Sequence, residues 1–277
     1  MSDTTCVITG GTDGIGKAAA HALALQGARL LIHGRDPQKG ASAVAEIKAR
    51  SRNAAVEFLQ ADFSSLGDVR RLAATLMERA PRIDVLINNA GGLFARRKLS
   101  QDGYEMTFAV NHLAPFLLTH LLMSSLRGGK PARIVTTSSE AHRRARLQLD
   151  QASSRYSAMG AYASSKLANI LFTRALAKRL AGTSVTATCL HPGFVRTNFG
   201  RDLSAVGRLV FGWVSGFARS PEKGAETIVY LATSAQVQGA SGGYYFDCKP
   251  TQPSPAAQDE GAAEDLWRLS EQWVGIA

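Results

Sequence analysis

The sequence TGGTDGIG, residues 9–16, stands between a short apolar run, Cys6–Thr9, and a helical stretch, Lys17–Leu25. A glycine-rich turn from a strand into a helix lets backbone amides and the positive end of the helix approach a pyrophosphate without interference from Cβ atoms. We therefore expect a dinucleotide to be held here, by Gly10, Thr12, Asp13, Gly14, Ile15 and Gly16. A tight turn alone would also use one or two glycines, so the rest of the chain must decide between these interpretations.

Short apolar runs alternate with longer helical patterns along the chain. The runs are Cys6–Thr9, Leu30–His33, Val56–Leu59, Val85–Asn88, Ile134–Thr137 and Val185–Leu190. They are rich in valine, isoleucine and leucine without polar alternation, which is typical of strands buried on both faces. The pattern predicts an α/β fold, a Rossmann-type doubly wound parallel sheet of about seven strands with helices on both faces.

Helix starts are marked by Asp36-Pro37 and Ser220-Pro221, each a capping residue followed by a first-turn proline. We predict one domain over residues 1–250, with a substrate lid over residues 198–219. Residues 251–277 then form an extension on the same domain: a loose linker, Thr251–Gly261, and a helix whose docking face holds Leu266, Leu269, Trp273 and Trp267.

The bulk composition excludes several classes of protein. The 277 residues carry a net charge of +10, but the basic residues are spread over many segments and form no stripe interleaved with aromatic residues, which disfavours nucleic-acid binding. Cys6, Cys189 and Cys248 lie far apart without metal-ligand spacing, so we expect no metal and a reducing compartment. The N-terminus has no room for a signal peptide, and no run approaches the roughly 18 apolar residues that span a bilayer. These features predict a cytoplasmic protein without a transmembrane segment.

The end of the second predicted strand bears on cofactor choice. It reads His33-Gly34-Arg35-Asp36, whereas an acidic residue at the strand end would bind the ribose hydroxyls of NAD. Gly34 at that position leaves Arg35 free to pair with a 2′-phosphate, which favours NADP(H). If Asp36 turned inward, NAD would be favoured instead, but Pro37 after it indicates that Asp36 caps the next helix.

Further motifs give the chain a family resemblance. They are NNAG at residues 88–91, the pair Ser138-Ser139, YASSK at residues 162–166, and His191-Pro192-Gly193. With the glycine turn, they make the chain resemble the short-chain dehydrogenase/reductase family from Thr5 through Phe246. The stretch Tyr162–Leu180 and the tail Asp247-Cys248-Lys249 are most similar to retinol dehydrogenase-like and WW-domain oxidoreductase-like members. Unlike the membrane-bound retinol dehydrogenases, the chain is expected to lack an N-terminal anchor.

Tyr162 and Lys166 are the candidates for proton transfer. Their i, i+4 spacing puts both side chains on one face of a helix. Lowering the pKa of a tyrosine from about 10 to about 7 requires roughly 4 kcal/mol of phenolate stabilisation. Lys166, together with the positive nicotinamide of an oxidised cofactor, is an adequate source in a dry site.

The resemblance implies the remaining roles. Ser139 would bind the substrate carbonyl oxygen, Asn111 would hold a water that connects Lys166 to solvent, and Lys166 and Tyr162 would also contact the cofactor. The other implied cofactor contacts are Asp62, Phe63, Asn89, Ala90, Gly91, Pro192, Gly193, Val195 and Thr197. Taken singly, Ser139 could merely end a strand, Asn111 could mark a helix kink and Tyr162 could be a packing residue. Their joint presence in family order favours the catalytic interpretation.

Two segments bear on substrate and assembly. A longer stretch between Ser139 and Tyr162 carries Arg143, Arg144, Arg146 and Tyr156. Its arginines either form a solvated rim or attract an acidic substrate. In monomeric carbonyl reductases an insertion here covers the dimer face, so the resemblance implies a monomer or a weak homodimer.

The second segment carries an apolar helical stripe, Val206, Leu209, Val210, Trp213, Val214 and Phe217. In this family the segment lies over the substrate, so the stripe implies an apolar lid. Such a lid implies in turn that the substrate is a hydrophobic ketone, aldehyde or alcohol. Core packing is the alternative, as is weak contact with a membrane surface through a helix flanked by Arg201, Arg208 and Arg219.

Two other functions share parts of this pattern. A catalytically silent NADP-binding regulator or scaffold would keep the cofactor site, but the complete Asn, Ser, Tyr and Lys set disfavours it. A nucleotide-sugar epimerase or dehydratase shares the Tyr and Lys pair but carries a larger C-terminal domain. Only residues 250–277 follow Lys249, too few for such a domain.

Overall fold

A single central sheet organises the protein and determines where the candidate site lies. The computed structural model describes residues 1–128, 131–147, 149, 156–195 and 219–277. The strands are β1 (Thr5–Ile8), β2 (Arg29–Gly34), β3 (Val56–Gln60), β4 (Val85–Asn88), β5 (Ala132–Thr137), β6 (Val185–Leu190), β7 (Tyr244–Phe246) and β8 (Lys249–Pro250). They form one sheet in the order β3-β2-β1-β4-β5-β6-β7-β8, parallel except for the last pair.

Helices cover both faces of this sheet. They are α1 (Gly14–Leu25), α2 (Pro37–Ser51), α3 (Leu66–Arg79), α4 (Met106–Phe108), α5 (Ala114–Leu121), α6 (Met123–Leu126), α7 (Ala158–Arg179), α8 (Pro221–Thr233) and α9 (Glu260–Val274). One apolar cluster joins the sheet to α1, α2 and α8, and a second joins it to α3, α5, α7 and α9. The predicted doubly wound fold is confirmed.

The predicted strands are buried on both faces because both neighbours are helical layers. In β1 the side chains of Cys6, Val7 and Ile8 are all fully buried, although successive residues point to opposite faces. The chain runs from β1 outward through β2 and β3 and then returns to β4 on the other side of β1. This reversal opens a crevice at the carboxyl ends of β1 and β4, where ligands bind in folds of this type.

The predicted helix caps are confirmed. Asp36 accepts hydrogen bonds from the backbone N–H groups of Gln38 and Lys39, at 2.9 and 3.2 Å. Ser220 accepts one from the N–H of Lys223 at 3.2 Å, at the start of α8. In both helices a proline occupies the first turn, where its missing N–H costs nothing.

The C-terminal segment is more closely attached than the expected loose linker. A 3-10 turn, Pro255–Gln258, interrupts it, and Ser254 and Ala257 are buried. Helix α9 then packs on α7, and Trp267 lies 5.0 Å from Phe116 and 6.0 Å from Phe172, measured between ring centroids. The buried face contains Ala263, Leu266, Trp267, Ser270 and Val274, whereas the predicted Leu269 and Trp273 are only partly buried.

None of the helices among the described residues combines the length and apolarity needed to cross a bilayer.

Candidate active site

The glycine turn brings the start of α1 against the end of β1. Gly10 has φ +65°, and a Cβ atom on Gly16 would lie 2.1 Å from the Gly10 carbonyl oxygen and 2.5 Å from Nδ2 of Asn89. No side chain fits at position 16 without moving the helix. Asp13 caps α1 by accepting from the N–H of Gly14 at 2.8 Å. The next N–H groups of the helix have no intrahelical acceptor and suit a phosphate oxygen.

Asn89 ties this turn to the end of β4. Its Nδ2 donates to the carbonyl oxygens of Thr9 and Gly10, at 3.1 and 3.3 Å. The Thr9 hydroxyl oxygen in turn accepts from the N–H groups of Asn89 and Ala90, at 2.9 and 3.0 Å. The two strands that flank the crevice are thereby linked, and the structure places Asn89 where a residue bracing the cofactor loop is expected.

The end of β2 has no carboxylate turned toward the crevice. Gly34 is the last residue of the strand, and a Cβ there would lie 2.7 Å from Cγ2 of Thr12. Arg35 follows it and is exposed, while Asp36 is engaged in capping α2. These positions agree with the prediction that Arg35, and not Asp36, is available to a ligand.

His33 is a site residue that sequence reasoning missed. Its Nδ1 accepts from the N–H of Gly10 at 3.4 Å, and its Nε2 donates to the carbonyl oxygen of Ala61 at 3.1 Å. The ring stacks on Phe63, with 4.1 Å between centroids. Burial lowers the pKa of His33 to about 4, so the ring stays neutral and keeps these contacts. The only sequence signal was a polar residue inside an apolar strand.

The end of β3 supplies Asp62 and Phe63. The Asp62 carboxylate accepts from the N–H of Ser64 at 2.9 Å, and its own N–H donates to the carboxylate of Asp68 at 3.1 Å. Phe63 is buried against His33. Both residues lie at the same edge of the sheet as the glycine turn, because β1, β2 and β3 are parallel neighbours.

Lys166 lies one turn after Tyr162 on α7, as the spacing predicts. Its Nζ donates to the carbonyl oxygen of Thr137, the last residue of β5, at 3.0 Å. The same Nζ lies 5.6 Å from the centroid of the Tyr162 ring. Burial lowers the pKa of Lys166 to about 8. A cation with this pKa gives up its proton more readily than a surface lysine.

Tyr162 and Ser139 are joined by a hydrogen bond. Ser139 follows β5, and its Oγ accepts from the N–H of Ala141 at 3.2 Å, which leaves its hydroxyl to act as a donor in the bond with Tyr162. Burial raises the pKa of Tyr162 to about 12, and the bond with Ser139 acts in the opposite direction. The expectation that Lys166 lowers the pKa of Tyr162 is therefore wrong for the protein without cofactor, because the Lys166 ammonium is directed at the Thr137 carbonyl oxygen and burial keeps the phenol protonated. This arrangement suits a proton donor.

Asn111 lies in a π-helical turn, Ala109–Leu113, between α4 and α5. Its Nδ2 donates to the Gly92 carbonyl oxygen and to Ser165 Oγ, at 3.0 and 2.9 Å, and its Oδ1 accepts from the Gly92 N–H at 2.8 Å. This π-helical turn agrees with the interpretation of Asn111 as the mark of a helix kink. Turns of this kind are also frequent at functional sites. A water bound by Asn111 would therefore be held through its main chain.

The loop after β4 runs beside this group. A Cβ on Gly91 would lie 3.2 Å from Oδ1 of Asn111 and 3.4 Å from Nζ of Lys166. The NNAG motif thus connects the cofactor crevice, through Asn89 and Ala90, with the candidate catalytic lysine.

The motif His191-Pro192-Gly193 follows β6. Gly193 has φ +78°, and Val195 is buried and pairs with Arg219. Arg219 also forms a two-pronged ion pair with Asp247 in the turn between β7 and β8. Thr197 and the apolar stripe of the predicted lid, Val206–Phe217, lie outside the described residues.

Comparison with known proteins gives the family. The sequence profile described as short chain dehydrogenase matches residues 4–206. The chain belongs to the short-chain dehydrogenase family. It is 40% identical to human retinol dehydrogenase 14 over 294 residues, covering 100% of this chain and 88% of that protein. It is 43% identical to a protein of Streptomyces sp. (strain C5) named as a daunorubicin C-13 ketoreductase, over 98% of this chain and 92% of that one. The predicted resemblance to retinol dehydrogenases is confirmed.

Solved structures support the same conclusion for the fold of this dehydrogenase. An uncharacterized protein of Mycobacterium paratuberculosis superposes with a TM-score of 0.81 at 34% identity, covering 99% of this chain and 94% of that one. The Pseudomonas aeruginosa RhlG/NADP active-site complex superposes with a TM-score of 0.72 at 27% identity, covering 88% and 94%.

Proposed function

We propose that this dehydrogenase uses NADP(H) to interconvert a hydrophobic alcohol and its ketone or aldehyde, with Tyr162 as the general acid and base. The observation that carries the proposal is the grouping of Tyr162, Ser139 and Lys166 at the carboxyl edge of the sheet. The glycine turn lies at the same edge, and Asn89 and Gly91 connect it to the lysine.

In the proposed reduction, Ser139, Tyr162 and Lys166 have distinct tasks. The Ser139 hydroxyl donates to the carbonyl oxygen of the substrate and polarises it; the bond that Oγ accepts from the N–H of Ala141 uses a lone pair and leaves the O–H for this contact. Tyr162 transfers its proton to the same oxygen as negative charge develops there. To stabilise the resulting phenolate, the Lys166 ammonium would turn toward it from the Thr137 carbonyl oxygen, and Lys166 and Tyr162 would also hold the nicotinamide ribose. When bound, NADPH supplies the hydride, and its pyrophosphate is held by the glycine turn at residues 10–16 together with the start of α1.

The proposed cofactor contacts also include the residues at the strand ends. They are Arg35, Asp62, Phe63, Asn89, Ala90, Gly91, Pro192, Gly193, Val195 and Thr197. Each except Thr197 lies within or next to the loops described above.

Arg35→Ala should weaken NADPH binding by about 10- to 100-fold and leave NADH binding within about threefold, because a guanidinium and a phosphate form a strong charged pair that NADH cannot make. Titration of each cofactor by its fluorescence measures this. Lys39→Ala, which removes an exposed cation from the first turn of α2, is the matched control. Equal losses for both cofactors would contradict the assigned preference.

The proposed substrate class rests on the relatives. Their names indicate retinol and the C-13 ketone of daunorubicin, and both are larger than a simple aliphatic carbonyl. The predicted lid over residues 198–219 remains part of this proposal. Wild-type enzyme with NADPH should therefore reduce retinal and bulky aromatic ketones faster than acetone. If the protein binds NADPH but does not oxidise it with any of these carbonyls, it is a catalytically silent regulator instead.

We also propose a monomer or a weak homodimer in a reducing, cytoplasmic setting. Helix α9 covers part of α7, and ion pairs from Lys178 to Glu260 and from Arg179 to Glu264 border the contact, at 2.7 and 2.6 Å. A second copy could bind this part of α7 only by displacing α9. Light scattering at micromolar concentration should give the mass of one chain, 29.5 kDa. A stable tetramer would contradict this expectation.

A further inference from the structure

His142 is a buried histidine that the proposed chemistry does not use. It lies three residues after Ser139, in a 3-10 turn, Glu140–Arg144, and its side chain is fully buried. The Tyr244 ring packs edge-on against it at 5.1 Å between centroids, and the Tyr244 hydroxyl oxygen lies 3.4 Å from Nδ1.

Both ring nitrogens of His142 have assigned partners. Nε2 lies 3.0 Å from the backbone N–H of Ser254 and must accept from it. The proton of the neutral ring is therefore on Nδ1, which donates to the carbonyl oxygen of Ser139 at 2.8 Å. Burial lowers the pKa of His142, which preserves the neutral form that this pair of contacts requires.

The two contacts connect the C-terminal segment with the residue that polarises the substrate. The Ser139 carbonyl also accepts from the backbone N–H of His142, at 3.1 Å, so the side chain adds a second donor to the same oxygen. Arg143 strengthens the connection by donating to the Gln252 carbonyl oxygen at 2.7 Å. The turn that orients the Ser139 hydroxyl is thus attached at two points to residues 252–254.

We propose that His142 is a positioning residue, which holds the Ser139 turn in its catalytic geometry by bridging the Ser139 carbonyl to the backbone of Ser254. The C-terminal segment is then part of the catalytic apparatus. The inference rests on the proposed function, because the position of Ser139 affects turnover only if a carbonyl group is polarised there. Small displacements of such a group are expected to cost rate, since reacting groups must be held closely in place.

Two substitutions separate the two contacts. His142→Asn introduces an amide nitrogen near the position of Nδ1, so this variant can still donate to Ser139. His142→Phe keeps the ring volume and makes neither contact. With retinal and NADPH, we expect His142→Phe to lower kcat by about 10- to 100-fold and His142→Asn, which keeps only the Ser139 end of the bridge, by an intermediate factor of about three to ten, with NADPH affinity unchanged in both.

A double-mutant cycle with Ser139→Ala distinguishes positioning from general stabilisation. If His142 acts through Ser139, His142→Phe should lower the residual kcat of Ser139→Ala by less than about twofold, while still lowering its unfolding temperature. The full kcat loss in both backgrounds, or equal kcat losses in the Phe and Asn variants, would overturn the proposal.

A second measurement does not depend on turnover. Nitrogen-15 NMR of the full chain should find the His142 proton on Nδ1, and a proton on Nε2 would overturn the proposal. Absence of NADPH oxidation by the wild-type enzyme would instead reject the proposed function. If the wild-type enzyme turns over and His142→Phe has the same kcat, only the role of His142 is rejected.

Discussion

Tyr162→Phe should lower kcat for carbonyl reduction by about 10³-fold, within the range expected for loss of a general acid. The substitution removes one oxygen, so packing on α7 is retained, and NADPH should bind within about tenfold of the wild type because only one contact to the nicotinamide ribose is lost. Burial raises the pKa of this tyrosine to about 12, so the wild-type phenol is protonated at neutral pH and can supply the proton for reduction. Steady-state kinetics with retinal and NADPH, combined with cofactor titration, measures both quantities.

Tyr230→Phe is the control for this experiment. Tyr230 lies on α8 with its hydroxyl bonded to Gln236 at 3.2 Å, and the substitution also removes one phenolic oxygen from a helix. We expect its kcat to equal that of the wild-type enzyme. Retention of full activity by Tyr162→Phe would show that the proton comes from another group and would remove the mechanism proposed above.

Gly16→Ala should produce the second large effect, on both stability and cofactor binding. The added Cβ would lie 2.1 Å from the Gly10 carbonyl oxygen and 2.5 Å from Asn89 Nδ2, so α1 or the turn must shift. Overpacking of this kind costs about 1–3 kcal/mol, and the shift would also spoil the amide geometry around the pyrophosphate. We expect a lower free energy of unfolding in urea and at least about tenfold weaker NADPH binding.

The matched control is Gly67→Ala, in the first turn of α3. A Cβ there has its nearest neighbour at 3.5 Å, an ordinary contact, and alanine is a better helix residue than glycine by about 0.5–1 kcal/mol. Gly67→Ala should therefore leave NADPH binding unchanged and stability equal or slightly higher. Equal behaviour of the two variants would contradict the close contact between α1 and the end of β1.

The fold could be predicted from the sequence because its main signals are local. Runs of valine, isoleucine and leucine such as Val85–Asn88 indicated strands buried on both faces, and the observed strand has those bounds. Capping residues Asp36 and Ser220 marked helix starts in the same way. The antiparallel β8 was not predicted, since two residues joined to β7 by a two-residue turn, Asp247-Cys248, carry little pattern.

Site residues could be predicted where two of them lie on the same helix, because their spacing then determines whether they are close. Contacts between residues far apart in the chain could not be predicted in this way. Tyr162 and Lys166 share a helix, so their common face followed from their numbers. The direction of the Lys166 ammonium toward Thr137 depends on where β5 ends. His33 and His142 have partners far away in the chain, Ala61 and Ser254, and a single histidine, whether in an apolar strand or in a charged turn, does not identify them. Tertiary packing, and not local pattern, gives both histidines their roles.

Hydride transfer from NADPH to a carbonyl carbon, with a proton from Tyr162, is tested most directly by isotope transfer. Wild-type enzyme should be incubated with retinal and NADPH carrying deuterium at C4 of the nicotinamide, with the 4R and 4S forms in separate reactions. We predict that one of the two forms gives retinol with a single deuterium on the former carbonyl carbon, and that Tyr162→Phe gives almost none. Retinol without deuterium from both forms, or no retinol at all, would contradict the proposed reaction.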